Sequence, residues 1–582
     1  MVLDKIPDDP DLRAAWNGLA LRMERPEVFY TYEWAIAVQR AYQASLTPFI
    51  FLGYDGESLV GAAALAQRKS GEVVFLTADT GDYCEFLSDA SIRREFVDAV
   101  FSGLRDAKIE KAVLTNLPAD SATARAVSPA ATNARYHLHS RLAYACAQVV
   151  MGSAEERGVL KQSVLAKKRL RRNMRDLQKR GPVTLQHDTD WHQIEPLLPP
   201  FTRAHVARFL ETGKISSLIR EERRAFLAEL ARELSQSGWV ALSRLLVGDA
   251  TAAWNYGFRF EGSWFWYQPT VNALYSDFSP GYCLLAKIVE LACDSLEFNM
   301  VDLGLGAEGY KDRFSTATRQ TLYCELNENL ASHLRSVIRY RASSMATASP
   351  RVEKWARSTI SRAAELKARV RKEGLGTLPA RLLRRVRHSL YSLETVLFFE
   401  WTADEHNQKV SSTRLCPLDS EFLGTAAIQY GDDAAAMRFL MRSAQRLSLG
   451  QGRGFVLLTA DGTPVHFCWT KDFEGFQMAE LDRTLQAPCK DASVIFDCFT
   501  PESARGHGFF SEAITMLADQ LRSQGKVPWI FGASTNLASV RGIRKTSFAY
   551  RFSLGRRKIL LFNRVKDSIP DRSATENRAS AA

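Results

Sequence analysis

The run Ser493-Val-Ile-Phe-Asp-Cys-Phe499, followed by Pro501-Glu-Ser-Ala-Arg-Gly-His-Gly-Phe-Phe510 and then Ser511 to Gln524, decides the fold. It reads as a strand, a glycine-bearing loop and an amphipathic helix. A helix start at such a junction leaves backbone N–H groups unpaired and presents the positive end of the helix dipole, so it suits an anion. The loop Arg505-x-x-Gly508 opens directly onto the helix, and glycine lets the backbone come close to a phosphate. A lone glycine loop is also what an ordinary helix start looks like. The continuation adds weight: a strand over Val527 to Ala533, then Asn536-Leu-Ala-Ser539 and Lys545-Thr-Ser-Phe548.

In that order and spacing the stretch resembles the GNAT superfamily of acyl-CoA N-acyltransferases. The family pattern is Arg/Gln-x-x-Gly-x-Gly/Ala, a helix, a strand, Asn-x-x-Ser/Ala and a Lys-x-Gly-Phe stretch. The resemblance implies that Gly506, His507 and Gly508 hold a pyrophosphate with Arg505. It places the acyl carbonyl near Cys498 and Phe499, and Asn536 with Ser539 beside the pantetheine. There are departures. Phe510 stands at the final Gly/Ala position, and one extra residue separates Pro501 from Arg505. Ser547 replaces a glycine, and Ile543 lies where many members carry a tyrosine that protonates the leaving thiolate. Asp497 is a candidate base, or an outward-facing strand residue. His507 in the phosphate loop reads as a phosphate contact or an exposed side chain.

The same order of elements recurs twice upstream. Strands around Asp55-Gly56 and around Gly248-Asp249 read as hairpins. A helix is expected over Ile92 to Lys108, and strands at Lys111 to Leu117 and Tyr136 to Val150. A basic helix ends at Gly181. A helix opens at Ser279-Pro-Gly281 and runs to Leu296, with proline and glycine in its first turn. A strand at Phe298 to Gly304 precedes Glu308-Gly-Tyr-Lys-Asp-Arg-Phe314. These two blocks resemble the acetyltransferases of the CelD/BcsL type from cellulose biosynthesis, related in fold to the Fem-type aminoacyltransferases. Trp34, Gly81-Asp82-Tyr83, Lys167 to Arg180, His205-x-x-Arg208, Ser279-Pro280-Gly281, Asp302-x-Gly304-x-Gly306 and Tyr310-Lys311 carry that likeness. It implies two GNAT-like halves packed as a pseudo-dimer. Gly281 then stands where a phosphate loop would lie, and Asp302, Glu308, Tyr310 and Lys311 are the candidate catalytic cluster. The plain alternative is that Tyr310 caps the core and Lys311 is solvated.

The expected fold class is therefore α/β, with three GNAT-like mixed-sheet units. Residues 1–155 form an N-terminal GNAT-like domain and 156–330 a second one. Residues 331–400 are a basic helical linker, 401–567 a C-terminal GNAT domain, and 568–582 a disordered tail.

The chain has 582 residues and 46% hydrophobic content, which suits several folded domains. It lacks the apolar run of about 18 residues that a membrane-spanning helix needs. Its first residues show no basic region followed by an apolar one, so no signal peptide is expected. The nine cysteines form no Cys-x-x-Cys and no zinc spacing with histidine, and they read as reduced, buried thiols. No metal is expected.

The net charge of +11 is concentrated. Arg335 to Arg387 carries fifteen Lys/Arg against three acids, and Lys161 to Arg180 carries nine against Asp176 alone. Such runs attract polyanions, namely CoA phosphates, tRNA or an anionic membrane, and are equally common as solvated helix faces. Transfer of an acyl group from a thioester to an amine needs a base, oxyanion donors and a fate for the thiolate, and few side chains. Three functions compete: an acyl-CoA N-acyltransferase with an amino-sugar or cell-envelope precursor as acceptor, an aminoacyl-tRNA-dependent transferase, and a scaffold of a polysaccharide-synthesis complex. The expected location is the bacterial cytoplasm, at the inner membrane surface if the basic helices bind it. The expected co-substrate is acetyl-CoA or another acyl-CoA.

Overall fold

The computed structural model describes residues 1–306, 309–347, 391–403, 412–478, 481–559 and 562–568. The chain divides into two compact units, one of Met1–Arg208 with Ser217–Glu353 and the other of Phe209–Ser216 with Lys354–Ala582. Both are mixed α/β.

In the first unit, strands β1 (Leu46–Asp55), β2 (Ser58–Arg68) and β3 (Val73–Phe75) lead through a long loop to helix α1 (Arg93–Asp106). Strands β4 (Lys111–Pro118) and β5 (His137–Val150) follow. The second half begins with the basic helix α2 (Lys168–Gln178) and β6 (Val183–Asp188), then α3 (Glu221–Ser235). It continues with β7 (Val240–Val247), β8 (Ala250–Phe260), β9 (Ser263–Val271), α4 (Pro280–Asp294) and β10 (Met300–Leu305). The unit ends in β11 (Ala317–Asn327) and α5 (Leu330–Thr347).

All these strands join one 13-stranded sheet. Its order is Val2–Leu3, β1, β2, β3, β4, β11, β5, β10, β9, β8, β7, β6, with Leu87–Ser88 against β2. Two strands knit the halves together. β11, from the end of the unit, pairs with β4 of the first half, and β5, from the first half, pairs with β10 of the second. The two pair with each other antiparallel from Ala317↔Gln148 to Asn327↔His137. Neither half closes its sheet alone. Each half has its own core. One gathers Phe86, Phe101, Val97 and Leu114. The other gathers Trp264, Leu285, Val289 and Leu177.

The C-terminal unit contains β12 (Tyr391–Trp401), β13 (Arg414–Pro417), α6 (Ala434–Ser448), β14 (Arg453–Leu458) and β15 (Pro464–Asp472). It goes on with β16 (Ala492–Phe499), α7 (Phe509–Ser523), β17 (Val527–Ala533), α8 (Leu537–Arg544), β18 (Phe548–Ile559) and β19 (Phe562–Ser568). Among the described residues eight of its strands form one sheet in the order β13, β14, β15, β16, β17, β12, β18, β19, and Gln477–Met478 pairs with Arg483–Thr484 apart from it.

One expectation needs correction. Tyr391–Trp401 falls, but for its last residue, within the helical linker expected over 331–400. It is a central strand, antiparallel to both β17 and β18. Phe398 and Phe399 are fully buried on it, and a run apolar on both faces is what a central strand needs. Of the expected helical segment, Leu330–Thr347 is a helix. The rest of that basic segment up to residue 390 and the tail from 569 lie outside the described residues. No helix among the described residues is long and apolar enough to cross a membrane.

Candidate functional site

Each sheet contains parallel strand pairs that start together and then part. In the second half, β9 and β10 pair at Ser263↔Met300, Trp264↔Val301 and Phe265↔Asp302, and no further. β9 continues against β8, while β10 shifts register against β5 between Asp302 and Leu305. Gly304 sits in that shift with φ +69°, a left-handed backbone that favours glycine. In the C-terminal unit, β16 and β17 pair from Ala492↔Val527 to Ile495↔Ile530 and then diverge. Beyond Ile495, β16 stays with β15 across a bulge, and Phe531 to Ala533 of β17 pair with β12. β3 and β4 of the first half pair only at Val73↔Ala112 and Val74↔Val113.

The split between β9 and β10 is lined with acids. Asp302 is fully buried. Its Oδ2 accepts from Tyr83 Oη (2.8 Å) and Gln148 Nε2 (2.7 Å), and its Oδ1 accepts from the Gly304 N–H (2.7 Å). Burial still raises its carboxyl above the ordinary range, against the pull of Gln148 and Gly304. Asp302 lies within β10 as the hub of a buried network. That network brings together two motifs far apart in sequence, Gly81-Asp82-Tyr83 and Asp302-x-Gly304.

Asp82 comes with Tyr83, and sequence reasoning did not single it out as a site residue. Its place in the quoted Gly81-Asp82-Tyr83 motif was the available signal. A Cβ on Gly304 would lie 2.5 Å from Asp82 Oδ2 and 3.6 Å from the Trp266 carbonyl oxygen. Burial, reinforced by the Asp302 charge, pushes the Asp82 carboxyl up to about 7.

Lys311 is buried rather than solvated, and its Nζ donates to the Leu305 carbonyl at 2.7 Å. Tyr310 is partly buried, and its hydroxyl accepts from Trp266 Nε1 at 3.2 Å. Glu308 lies outside the described residues. Gly281 is in the first turn of α4, whose N-cap, Ser279, has φ 48°. Basic side chains gather at this helix start: Arg169 Nη2 donates to Ser279 Oγ (3.3 Å), and Arg180 lies over the Phe278 ring at 4.8 Å. Beside it, α2 and α4 border a groove of about 650 Å³ lined by Leu165, Met174, Lys168, Arg171, Arg175 and Lys287 among others.

In the C-terminal unit the loop expected to hold phosphate lies between β16 and α7. Gly506 and Gly508 have φ of 89° and 84°, with open space where a Cβ would stand, and Gly508 caps the 15-residue α7. Arg505 Nε donates to the Thr500 carbonyl (3.2 Å), and the His507 ring stacks with Phe509. The Phe510 ring lies against Gly542, where a Cβ would come within 2.5 Å of its Cδ1. Phe499 stacks on Phe439 at 4.7 Å. Asn536 caps α8, its Oδ1 accepting from the Ser539 N–H at 3.2 Å.

Asp497 forms the bulge of β16 with φ 46°, and its Oδ2 accepts from Arg446 Nη1 at 2.8 Å. Burial pushes the Cys498 thiol well up, so it stays protonated. Ile543 is fully buried in the core. Among the described residues no group of three or more His, Cys, Asp or Glu side chains could hold a metal ion.

Residues 166–312 match the family model described as an acetyltransferase (GNAT) domain. No curated protein sequence matches the chain. Among solved structures, FemX aligns with a TM-score of 0.40 and 10% identity over 58% of this chain and 99% of that one. The C-terminal domain of a protein assigned as a lysylphosphatidylglycerol synthetase from Agrobacterium fabrum aligns with a TM-score of 0.39 and 10% identity, covering 56% and 94%. A tandem GNAT protein of the clavulanic acid biosynthesis pathway gives 0.32 and 12%, covering 56% and 97%. The stretch that matches the GNAT acetyltransferase domain thus contains β9, α4 and β10, the elements that part around Asp302.

Proposed function

We propose that the protein is an acyl-CoA-dependent N-acyltransferase and that the split between β9 and β10 is its reaction centre. The carrying observation is the coincidence of three things in the GNAT-matching stretch. A parallel strand pair opens, a helix with basic side chains at its start begins beside it, and two carboxyls, the enclosed Asp302 and the less enclosed Asp82, stand where the strands part. An extended thioester can lie in such an opening, its phosphates at the α4 start near Gly281, Arg169 and Arg180, its acyl end toward Asp302, Tyr310 and Lys311. The acceptor is an amine on a small sugar or a cell-envelope or exopolysaccharide precursor. The C-terminal unit offers a second acyl-CoA cradle at Arg505 to Gly508, with Asn536 and Ser539 beyond it. Its Asp497 is tied to Arg446, and its tyrosine position is a core isoleucine, which favours a binding or scaffolding part there.

The exposed cations of α2 favour an additional polyanionic partner, an anionic membrane surface or tRNA. Binding there should fall steeply with salt.

The test is calorimetry of acetyl-CoA with the full chain, followed by thiol release in the presence of glucosamine. Micromolar binding and amine-dependent thiol release are expected. Absence of binding by wild type would remove the acyl-CoA reading. Binding that Asp302→Asn leaves unchanged, with turnover also unchanged, would move the reaction centre elsewhere.

A further inference from the structure

We infer that Asp82, a residue of the N-terminal half, is the proton acceptor for acyl transfer at the split between β9 and β10 of the second half. The inference rests on the acyl-CoA reading above and adds the group that takes the acceptor's proton.

Asp82 belongs to the loop that follows β3 and precedes α1, yet its carboxyl is delivered to the other half of the unit. The Gly304 contact fixes where it stands. The point 2.5 Å from Asp82 Oδ2 is also 3.6 Å from the Trp266 carbonyl oxygen of β9. Trp266 and Gly304 are the residues one and two places past the last pair, Phe265↔Asp302. The carboxyl therefore lies in the opening itself, where the two backbones have just released each other. Position 304 tolerates no side chain there, on grounds of both space and backbone conformation.

The neighbouring acid cannot take this part. Asp302 is fully enclosed, and its two oxygens are occupied by three donors. Asp82 is less enclosed than Asp302, and its Oδ2 is the oxygen that stands against Gly304 at the opening. The groups facing Asp82 come from every element around it. Asp302 of β10, Cys146 of β5, Tyr267 of β9 and Cys84 of its own loop disfavour or feel its charge. Lys311, the backbone N–H of Leu305 and Arg223 favour it. The balance leaves the carboxyl titrating at about 7, so both protonation states are populated near neutral pH, as a general base requires.

The step balances simply. The acceptor nitrogen attacks the acyl carbon, the C–N bond forms and the C–S bond breaks. The nitrogen's proton passes to Asp82, and CoA leaves as a thiolate that is protonated by water. Asp82 then returns its proton to solvent.

The test uses the full chain with acetyl-CoA as donor and water as the probe nucleophile, which also needs a base. Thiol release is followed from pH 5 to 9 for wild type, Asp82→Asn and Asp82→Glu. Calorimetry reports CoA affinity and thermal melting reports folding. Wild type is expected to gain about tenfold in rate per pH unit below about 7 and then level off. Asp82→Asn should lose roughly 10²–10⁴-fold and the pH inflection, with CoA affinity kept. Asp82→Glu, which keeps an acid, should recover part of the rate with a moved inflection.

An Asp82→Asn variant with wild-type rate and profile overturns the assignment. So does wild type that binds CoA yet releases no thiol at any pH. If Asp82→Asn fails to melt cooperatively, Asp82→Glu decides: an inflection identical to wild type rejects Asp82 as the base. Failure of wild type to bind acetyl-CoA marks failure of the acyl-CoA reading itself, and this assignment goes with it.

Discussion

The split between β9 and β10 and the split between β16 and β17 are built alike and furnished differently. Each is a parallel pair that releases after three or four residues, beside a bulge, with a 15-residue helix following the first strand. The first holds Asp302 and Asp82, and Asp302 accepts from Tyr83, Gln148 and the Gly304 N–H. The second places Asp497 on the bulge and ties it to Arg446, whose guanidinium also lies 4.6 Å from the Trp469 ring. The first has Arg169 of α2 and Arg180 beyond it at its helix start. The second has two glycines of positive φ and an open cradle. One backbone plan thus yields an opening with two buried or half-buried carboxyls and another with a glycine loop at a helix start. The difference lies in which neighbouring element reaches in, the loop after β3 in one case and α6 in the other.

Both openings depend on a strand supplied from upstream in the sequence, β5 for the second half and β12 for the C-terminal unit. The largest expected effect tests that dependence. Phe398 on β12 is fully buried and stacks on Phe552 at 4.7 Å. Phe398→Ala should destabilise the C-terminal unit by about 3–5 kcal/mol through lost burial and the cavity left behind. Denaturant unfolding measures it. A loss under about 1 kcal/mol would mean that β12 is dispensable and that the two openings are closed differently.

What the sequence made legible follows from this construction. The hairpins at Asp55-Gly56 and Gly248-Asp249, the strand–loop–helix runs and the basic helix were readable because their signals are local: turn residues, alternation and charge. The Arg505 to Gly508 loop was readable for the same reason. β12 falls inside the expected linker because its burial between β17 and β18 is set by residues distant in sequence. β11 drew no assignment, since its partners β4 and β5 lie far upstream in the sequence. The acid centre was half legible. Asp302 was named, but its network of Tyr83, Gln148 and Gly304, and the approach of Asp82, arise only when β5 and the loop after β3 fold onto β10.

The next effect separates the openings by pH. Asp82 has an ordinary value of 3.8 and is pushed to about 7 in the folded chain. The folded state therefore holds its proton more tightly than the unfolded one. The stability this confers is fully present below about pH 4 and is lost as pH rises through about 7, at up to about 1.4 kcal/mol per pH unit. Asp82→Asn cannot ionise, so its melting temperature relative to wild type should climb between pH 4.5 and pH 8. A difference that stays constant over that range would place Asp82 in a wetter setting than its contacts indicate.

The anion cradle of the C-terminal unit has the opposite sensitivity. Gly508→Asp puts a negative side chain at a left-handed position beside the free N–H groups of α7. Affinity for acyl-CoA at that site should fall by about 2 kcal/mol. Calorimetry on the full chain should show one class of sites weakened and the class near α4 retained. Loss of all binding, or of none, would contradict two separate cradles.

The smallest effect concerns the ion pair that distinguishes the second opening. Arg446 and Asp497 are each partly exposed, with side-chain exposures of 20% and 26%. An exposed pair of this kind contributes about 0.2–1 kcal/mol, and the ring contacts to Trp469 and Phe496 add about 0.5–1 kcal/mol. Arg446→Gln should therefore cost about 1 kcal/mol in denaturant melts. Only the ion-pair share should fade in high salt, because ring stacking is not screened in the same way. The mutation also frees the Asp497 carboxylate at the mouth of the split. If Asp497 is held by Arg446 as the strut of the bulge, acyl-CoA affinity at Gly508 should drop along with stability. If affinity holds and thiol release from the C-terminal site rises, Arg446 is instead a restraint on a carboxylate able to accept a proton, and the two openings differ by one arginine.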